Sequence, residues 1–160
     1  MTRIVDPTIA ADLTTPATRP ARGIIVATDG THDSDGAVRV GVALARRDAV
    51  AADLYSVVEP LAHFETDNEP LADADQLMAI ARESRDAALL AQRDRTHPGI
   101  QEWPFTIEVG ERVAAILARA ASRDASLVLL GVGAHGVGAR LRRRETALRV
   151  MRVARTPVLA

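Results

Sequence analysis

The sequence predicts an α/β fold in which a doubly wound, five-stranded parallel sheet carries helices on both faces. Three observations predict it: short β-branched apolar runs recur, segments of helical periodicity separate them, and the two alternate strictly from residue 23 onward. Such alternation is typical of βαβ units, whose right-handed crossovers place helices on both sides of a sheet. The length of 160 residues fits one domain.

The first folded elements follow a segment without hydrophobic periodicity. Residues 1–22 mix Thr, Ala, Pro and Asp, which predicts a disordered tail or linker, and the domain is expected to cover residues 23–160. GIIVAT (23–28) is the first predicted strand. The DGTHDSDG turn then starts a helix that runs to about Arg47, with Asp33 or Ser34 as the expected N-cap.

The middle of the chain adds two strands and a long helix. DLYSVV (53–58) is predicted to end before Pro60, because proline lacks the N–H that a central ladder needs. Helical spacing predicts an amphipathic helix from Leu71 to about Arg95. WPFTIEV (103–109) is the third strand, and its proline favours an edge position. The expected apolar face of the long helix is Ala74, Leu77, Met78, Ala81, Ala88 and Ala91.

The last third of the chain supplies the remaining elements. ERVAAILARAAS (111–122) is a helix with one apolar face, and SLVLLG (126–131) is the fourth strand. The connection GVGAHGVGARLRRR (131–144) precedes a helix from about Arg144 to Val153 and a last strand, PVLA (157–160). The apolar face of the first of these helices is predicted to be Val113, Ile116, Leu117 and Ala120.

Two loops of this arrangement are candidates for ligand binding. In doubly wound sheets, ligands bind outside the carboxyl ends of the strands at the point where the strand order reverses. The loops after Thr28 and after Leu130 occupy such ends. The second loop contains the glycines and arginines, which are the residue types that approach and pair with phosphate.

Composition argues against several classes of function. The chain has no cysteine, a formal net charge of −1 and few aromatic residues, which disfavours thiol chemistry, nucleic-acid binding and attraction to anionic membranes. No membrane span or signal peptide is predicted, so the cytoplasm is the expected location. His32, His63 and His97 lie in separate turns, and no catalytic motif occurs. Neither a metal site nor an enzymatic activity is expected.

Four segments share their order and spacing with one known family. They are IIVATDGTHDSDGAVRVGVALA (24–45), LYSVVEP (54–60), Glu108 to Gly131, and RTPVLA (155–160). Together they resemble a universal stress protein domain that spans Gly23 to Ala160. The resemblance implies that family's adenine nucleotide alpha hydrolase-like fold, with strands one and four adjacent at the switch point. It also implies a homodimer formed through the last strand, for which a tandem partner domain is the alternative.

The resemblance leaves nucleotide binding open, because the family contains members that bind ATP or AMP and members that do not. In the binders the loop after strand four reads Gly, two residues, Gly, nine residues, then Gly-Ser or Gly-Thr. Counted from Gly131, the closing pair falls on Arg144 and Glu145. If the first two glycines of the pattern are placed on Gly133 and Gly136 instead, the loop is two residues too short. In both counts the closing pair falls on Arg144 and Glu145, because the segment TPVLA fixes the alignment at that end.

The resemblance also implies which residues of such a site would bind the adenine base. It implies that Asp29 contacts the base, that Val57 packs beside it and that Gly30 allows the turn between the strand and the helix. From the residues alone, Asp29 is equally a brace of the turn, and Val57 is a core residue of its strand.

The replacement of Gly-Ser by Arg144 and Glu145 predicts a degenerate ATP site. A carboxylate ~4 Å from a phosphate oxygen costs about 1 kcal/mol per charge pair in water and more at lower dielectric. A helix start near residue 144 would favour a negative side chain. We therefore hypothesise that Glu145 is a built-in anion in the place of phosphate, while a solvated first-turn glutamate is the alternative.

The expected function is a stress-response or regulatory module that needs no cofactor and acts on an unidentified protein partner. The alternative is an adenine-nucleotide sensor that binds ATP or AMP, with Mg, through Asp29, Val57, the backbone of Gly131 to Gly138, and Arg142 to Arg144. Slow ATP hydrolysis would accompany only the alternative.

Overall fold

The computed structural model describes residues 22–60, 74–97, 105–131 and 137–160, with the backbone alone for residues 137–144. The predicted tail, the connection around residues 61–73 and most of the glycine-rich segment therefore lie outside the described residues. Five strands form one sheet. They are β1 (Ile24–Ala27), β2 (Ala52–Val58), β3 (Phe105–Val109), β4 (Leu127–Leu130) and β5 (Val158–Leu159).

All the strand pairs are parallel, and the order in the sheet is β3-β2-β1-β4-β5. This confirms the doubly wound sheet, the edge position of β3 and the adjacency of the first and fourth strands. β1 is buried along its whole length, because it is central and covered on both faces. β2 and β3 lie on one side of β1, and β4 and β5 lie on the other side. The direction in which strands are added therefore reverses at β1, which is the switch point of the sheet.

Within the described ranges, four α-helices cover the sheet. One face of β1, with Ile24 and Val26, packs with Val38, Val42 and Ala45 of the first helix. The other face packs with the third and fourth helices through Val113, Ile116 and Val150. Those helices are α1 (Asp35–Arg47), α2 (Ala74–Thr96), α3 (Arg112–Ser122) and α4 (Val137–Val153), with a short 3₁₀ turn, His32–Ser34, before α1.

The prediction for α3 is confirmed, whereas the predicted face of α2 is partly wrong. Val113, Ile116 and Ala120 are buried, and Leu117 packs against the same core. In α2, Ala74 and Ala91 are exposed. The buried residues of α2 are Leu89, Gln92 and Thr96, because this face meets a polar turn and not only an apolar sheet.

The start of α4 differs from the prediction. It begins at Val137, about two turns before the expected start near Arg144. Ala, Arg and Leu are strong helix formers, so the segment ARLRRR extends the helix despite the glycines before it. Glu145 is consequently in the interior of α4 and exposed. The helix-terminus argument for a negative charge at this residue is wrong.

The N-cap of α1 is one of the two residues predicted for it. Ser34 is the N-cap residue, but its side chain makes no cap hydrogen bond. Its hydroxyl serves instead in the turn that follows β1, where it lies 3.0 Å from the Asp29 carboxylate. None of the described helices has the length and apolar character that a membrane crossing requires.

Candidate functional site

A cavity of about 260 Å³ opens at the carboxyl ends of β1, β2 and β4. Asp29 and Val57 line it, together with Gly131 at the end of β4. The cavity therefore lies at the switch point, where ligands of doubly wound sheets bind. Both predicted binding loops reach the cavity. The loop after Thr28 contributes Asp29 and Ser34, and the loop after Leu130 contributes Gly131, which is its first residue.

The turn between β1 and α1 is braced by the Asp29 carboxylate. Asp29 Oδ1 accepts hydrogen bonds from the backbone N–H of Thr31 at 3.1 Å and from the Thr31 hydroxyl at 2.7 Å. The Ser34 hydroxyl donates to the same oxygen at 3.0 Å. This is the bracing role that the residues alone allowed, and it holds the carboxylate at the cavity wall.

Gly30 is required at its position in this turn. Its φ of 78° lies in the left-handed region, which other residues adopt only with strain. A Cβ atom there would lie 2.8 Å from the Cβ of Ala88 and 2.9 Å from its carbonyl carbon. The predicted role of Gly30 in the turn is thus matched by the geometry, and α2 packs directly on the turn.

Gln92 of α2 is the centre of a buried polar network behind this turn. Only 1% of its surface is exposed. The Thr28 hydroxyl donates to its Oε1 at 2.8 Å. Its Nε2 donates to Ser34 Oγ at 2.9 Å and to Asp35 Oδ1 at 3.0 Å. Since Thr28 and Ser34 also line the cavity, a helix remote in sequence fixes this wall of the site.

Arg95 extends the network toward the surface. Its guanidinium pairs with the Asp35 carboxylate, with Nη2 to Oδ1 at 3.1 Å and Nε to Oδ2 at 3.2 Å, and also donates to the Gly30 carbonyl at 3.1 Å. Burial raises the pKa of Asp35, but hydrogen bonds from Arg95 and Gln92 outweigh it. The pKa of Asp35 is therefore lowered from its ordinary value.

Tyr55 forms a rigid apolar part of the cavity. The residue is fully buried, and its hydroxyl donates to Glu108 Oε2 at 2.6 Å. The Arg119 guanidinium lies 5.5 Å from the ring centroid and also binds Asp53. Burial, followed by the hydrogen bond to Glu108, raises the pKa of Tyr55 far above its ordinary value. The phenol thus stays neutral, and its ring is held within the core beside the cavity.

Charged groups enter the cavity from the β2 side. Arg85 of α2 and Arg112 of α3 line it, and so does Glu59, which follows β2. Arg112 Nη2 donates to Glu59 Oε2 at 2.7 Å, and Arg85 Nη1 donates to Ser56 Oγ at 2.8 Å. The cavity thus combines apolar walls with two guanidinium groups, a combination suited to a ligand with an anionic part.

The connection after β4 is close-packed where it is described. A Cβ atom on Gly131 would lie 2.6 Å from the Cβ of Ser34, so this glycine lets the end of β4 approach the β1–α1 turn. Further along, Thr146 and Ala147 of α4 line the cavity. Gly133 and Gly136 lie outside the described residues, as does the side chain of Arg144.

The structure brings together part of the predicted site. Asp29, Gly30, Val57 and Gly131 meet around the cavity or in its supporting turn, whereas Glu145 is exposed on α4. Sequence reasoning missed the residues that α2 and α3 contribute, because they lie far along the chain from the loops. Polar or charged residues at helical spacing with Leu89 were the available signal. The residues missed on these helices are Arg85, Gln92, Arg95 and Arg112, and Glu59 after β2 was missed as well.

No metal centre is found in the described ranges, which contain no group of three or more histidine, aspartate or glutamate side chains placed to bind an ion. The hydrogen bonds of Asp29 and Asp35 are made to protein donors in the network described above.

A family model and solved structures are similar to this chain. The model of the Universal stress protein family matches residues 21–160. Among curated proteins, none matches. A universal stress family protein from Burkholderia pseudomallei shares 23% identity at a TM-score of 0.60, over 90% of this chain and 97% of that one.

Two further structures carry ligands. A universal stress protein in complex with cAMP is 24% identical, with a TM-score of 0.52 over 86% of this chain and 94% of that one. A universal stress protein from Archaeoglobus fulgidus in complex with dAMP is 21% identical, with a TM-score of 0.57 over 88% and 98% of the two chains. At these identities, the likeness establishes the shared fold.

Proposed function

The chain belongs to the universal stress protein family, and on that premise we propose that it is a regulatory module whose cavity binds an adenine nucleoside or its monophosphate. Under this proposal it does not bind ATP in the family's usual way. The observation that carries the proposal is the cavity at the switch point with Asp29 and Val57 on its wall. Its volume of about 260 Å³ is just below the range of about 300–1,000 Å³ for small-molecule sites, which favours a compact ligand.

The start of α4 supports the exclusion of the triphosphate. In an α-helix, the N–H of each residue beyond the first turn bonds to the carbonyl four residues earlier. Because α4 begins at Val137, the N–H groups of Arg144 and Glu145 belong to the helix ladder. They are therefore engaged within the helix at the place where relatives present a Gly-Ser pair to phosphate.

The ligands of two structural neighbours agree with this choice. The proteins captured with cAMP and with dAMP carry adenine nucleotides with one phosphate. In this chain, the carboxyl ends of the strands offer the Asp29 carboxylate and the apolar side chain of Val57 for a base. We thus propose that this chain binds the adenine base as members of the family do, but does not bind a triphosphate through the loop after β4.

The test is calorimetric titration of the full chain with adenosine. We expect binding, and we expect Asp29→Asn to weaken it about tenfold, since an acceptor of a charge-assisted hydrogen bond becomes a neutral amide. Asp33→Asn is the matched control, because Asp33 lies in the same connection but does not line the cavity. Lack of adenosine and AMP binding by the wild-type protein would refute the proposal.

We further propose that the partner is a second copy of this chain, joined at β5. This strand forms an edge of the sheet, and open edges pair readily. Exposed apolar side chains continue from it onto α4: Leu148, Met151, Val153 and Leu159. In the alternative to a homodimer, a tandem domain of the same fold would contact this surface of β5 and α4.

Light scattering after gel filtration tests whether the chain forms this dimer. We expect a dimer that Met151→Glu with Val153→Glu dissociates, because the charges would be buried without partners. Ile80→Glu is the control, since Ile80 is a comparably exposed apolar residue on α2. A wild-type monomer, or a dimer that is insensitive to the double substitution, would contradict this interface.

A further inference from the structure

Glu59 lies next to the part of the cavity in which the proposed base packs. It follows β2 directly, and it lines the cavity together with Val57. Residues two apart in an extended chain lie on the same face, and the proline at residue 60 favours an extended backbone at Glu59. Glu59 therefore continues the face of Val57 beyond the sheet, with about 6–7 Å between the two Cα atoms.

Arg112 holds the Glu59 carboxylate in a defined orientation. Arg112 is the first residue of α3 and lines the same cavity. Its Nη2 donates to Glu59 Oε2 at 2.7 Å, and its backbone N–H points to Oε1 at 3.4 Å. Each carboxylate oxygen thus has one donor, whereas a carboxylate offers about four acceptor sites in all. Glu59 can therefore accept a hydrogen bond from a ligand while it keeps both contacts with Arg112.

The chemistry of a carboxylate selects the ligand group that would lie against it. An ionised carboxylate only accepts hydrogen bonds, so it favours a donor on the ligand. In adenine, the ring nitrogens accept hydrogen bonds and the 6-amino group donates them. A base that packs beside Val57 is long enough to bring its amino group past the end of β2. The carboxylate found there is that of Glu59.

We infer that Glu59 is a specificity-determining residue, which accepts a hydrogen bond from the 6-amino group of adenine. The inference rests on the proposed function and names the group by which the cavity recognises the base. Arg112 is a positioning residue in this arrangement, because it acts through Glu59. The two side chains are 32% and 45% exposed for Arg112 and Glu59. An ion pair this accessible to water contributes little to stability, so substitutions of Glu59 should leave the fold intact.

Calorimetric titration with adenosine and with purine riboside, which lacks the 6-amino group, tests the inference. We expect the wild-type chain to bind adenosine about tenfold more tightly than purine riboside, since a hydrogen bond to a charged group is worth that factor or more. Glu59→Ala should remove this preference by weakening the binding of adenosine alone. Glu59→Gln should keep part of it, because the amide oxygen still accepts a hydrogen bond but carries no charge.

Two further variants separate recognition of the amino group from a general effect on the cavity. Arg112→Gln should lower the ratio of the two affinities, because the Glu59 carboxylate loses the donors of the guanidinium that orient it. Glu83→Gln is the matched control for Glu59→Gln, because Glu83 is an exposed glutamate on α2 that does not line the cavity. It should bind both nucleosides as the wild-type chain does.

The ratio of the two affinities is the decisive quantity, because a merely structural role of Glu59 would weaken both nucleosides alike. Equal wild-type affinities would overturn the inference and leave the adenine site standing. A preference for adenosine that persists in Glu59→Ala would also overturn it. Failure of the wild-type chain to bind either nucleoside would overturn the proposed function and the inference together. The ratio in Glu59→Gln decides the matter if Glu59→Ala does not fold.

Discussion

The β1–α1 turn and Gly131 at the end of β4 line the same cavity from adjacent strands, yet their surroundings differ. Behind the turn, Gln92 and Arg95 of α2 bind groups of five residues through buried or half-buried hydrogen bonds: Thr28, Gly30, Thr31, Ser34 and Asp35. The connection after β4 instead passes into an early helix start at Val137. The difference teaches that the two sides of this cavity are supported by separate elements, so a change in one side need not alter the other.

The largest expected effect comes from breaking the network behind the turn. Gln92→Leu should lower the free energy of unfolding by about 3 kcal/mol, because buried groups of Thr28, Ser34 and Asp35 lose a partner. Urea denaturation measures it. Gln76→Leu on the same helix should change stability by less than about 0.5 kcal/mol, because Gln76 is exposed. Equal effects of the two substitutions would mean that the network does not hold the turn.

A smaller loss is expected from the glycine of the turn itself. Gly30→Ala should destabilise the fold by about 2 kcal/mol, since alanine is strained at positive φ and its Cβ would meet Ala88. Thermal or urea unfolding checks this. Gly36→Ala is the matched control, because a Cβ there meets open space, and it should stabilise α1 by about 0.5 kcal/mol. A neutral Gly30→Ala would contradict the described turn.

The smallest of the three effects depends on pH. Because the folded-state pKa of Asp35 lies below its ordinary value of 3.8, the ionised carboxylate stabilises the fold above about pH 4. This contribution is lost as the pH falls through the folded pKa. Asp35→Asn should therefore cost about 1.5 kcal/mol at pH 7, and the difference from wild type should shrink below pH 4.

Urea unfolding of Asp35→Asn and wild type at pH 7, 4 and 3 makes this measurement. Asp86→Asn is the control, since Asp86 is exposed on α2 and should show no such convergence with the wild-type chain. A difference for Asp35→Asn that persists unchanged at acid pH would mean that the Asp35–Arg95 pair does not account for the effect.

The sheet and most helices could be predicted because their signals are local. The apolar run of β1 and the spacing of Val113, Ile116 and Ala120 in α3 each report burial within a few residues of sequence. Strand order and the edge position of β3 followed from the βαβ rules, the family resemblance and one proline. Asp29, Gly30 and Val57 were assigned to the site from the family resemblance, which rests on contiguous segments of the sequence.

The remaining parts of the site depend on contacts that sequence periodicity does not contain. Gln92 joins Thr28 and Asp35 across 64 and 57 residues of sequence, and a polar residue on a helix is ordinarily assigned to the solvent side. The start of α4 was placed too late because glycines indicate a loop, whereas the arginines and alanine after them favour a helix. A long-range contact decided the first, and local helix propensity decided the second.

Calorimetry of the wild-type chain with AMP and with Mg-ATP tests the central claim most directly. We predict that AMP binds at least tenfold more tightly than ATP, and that Arg144→Gly with Glu145→Ser does not restore ATP binding, because the N–H groups at these positions stay within α4. ATP binding as tight as that of AMP in the wild-type chain would contradict the account.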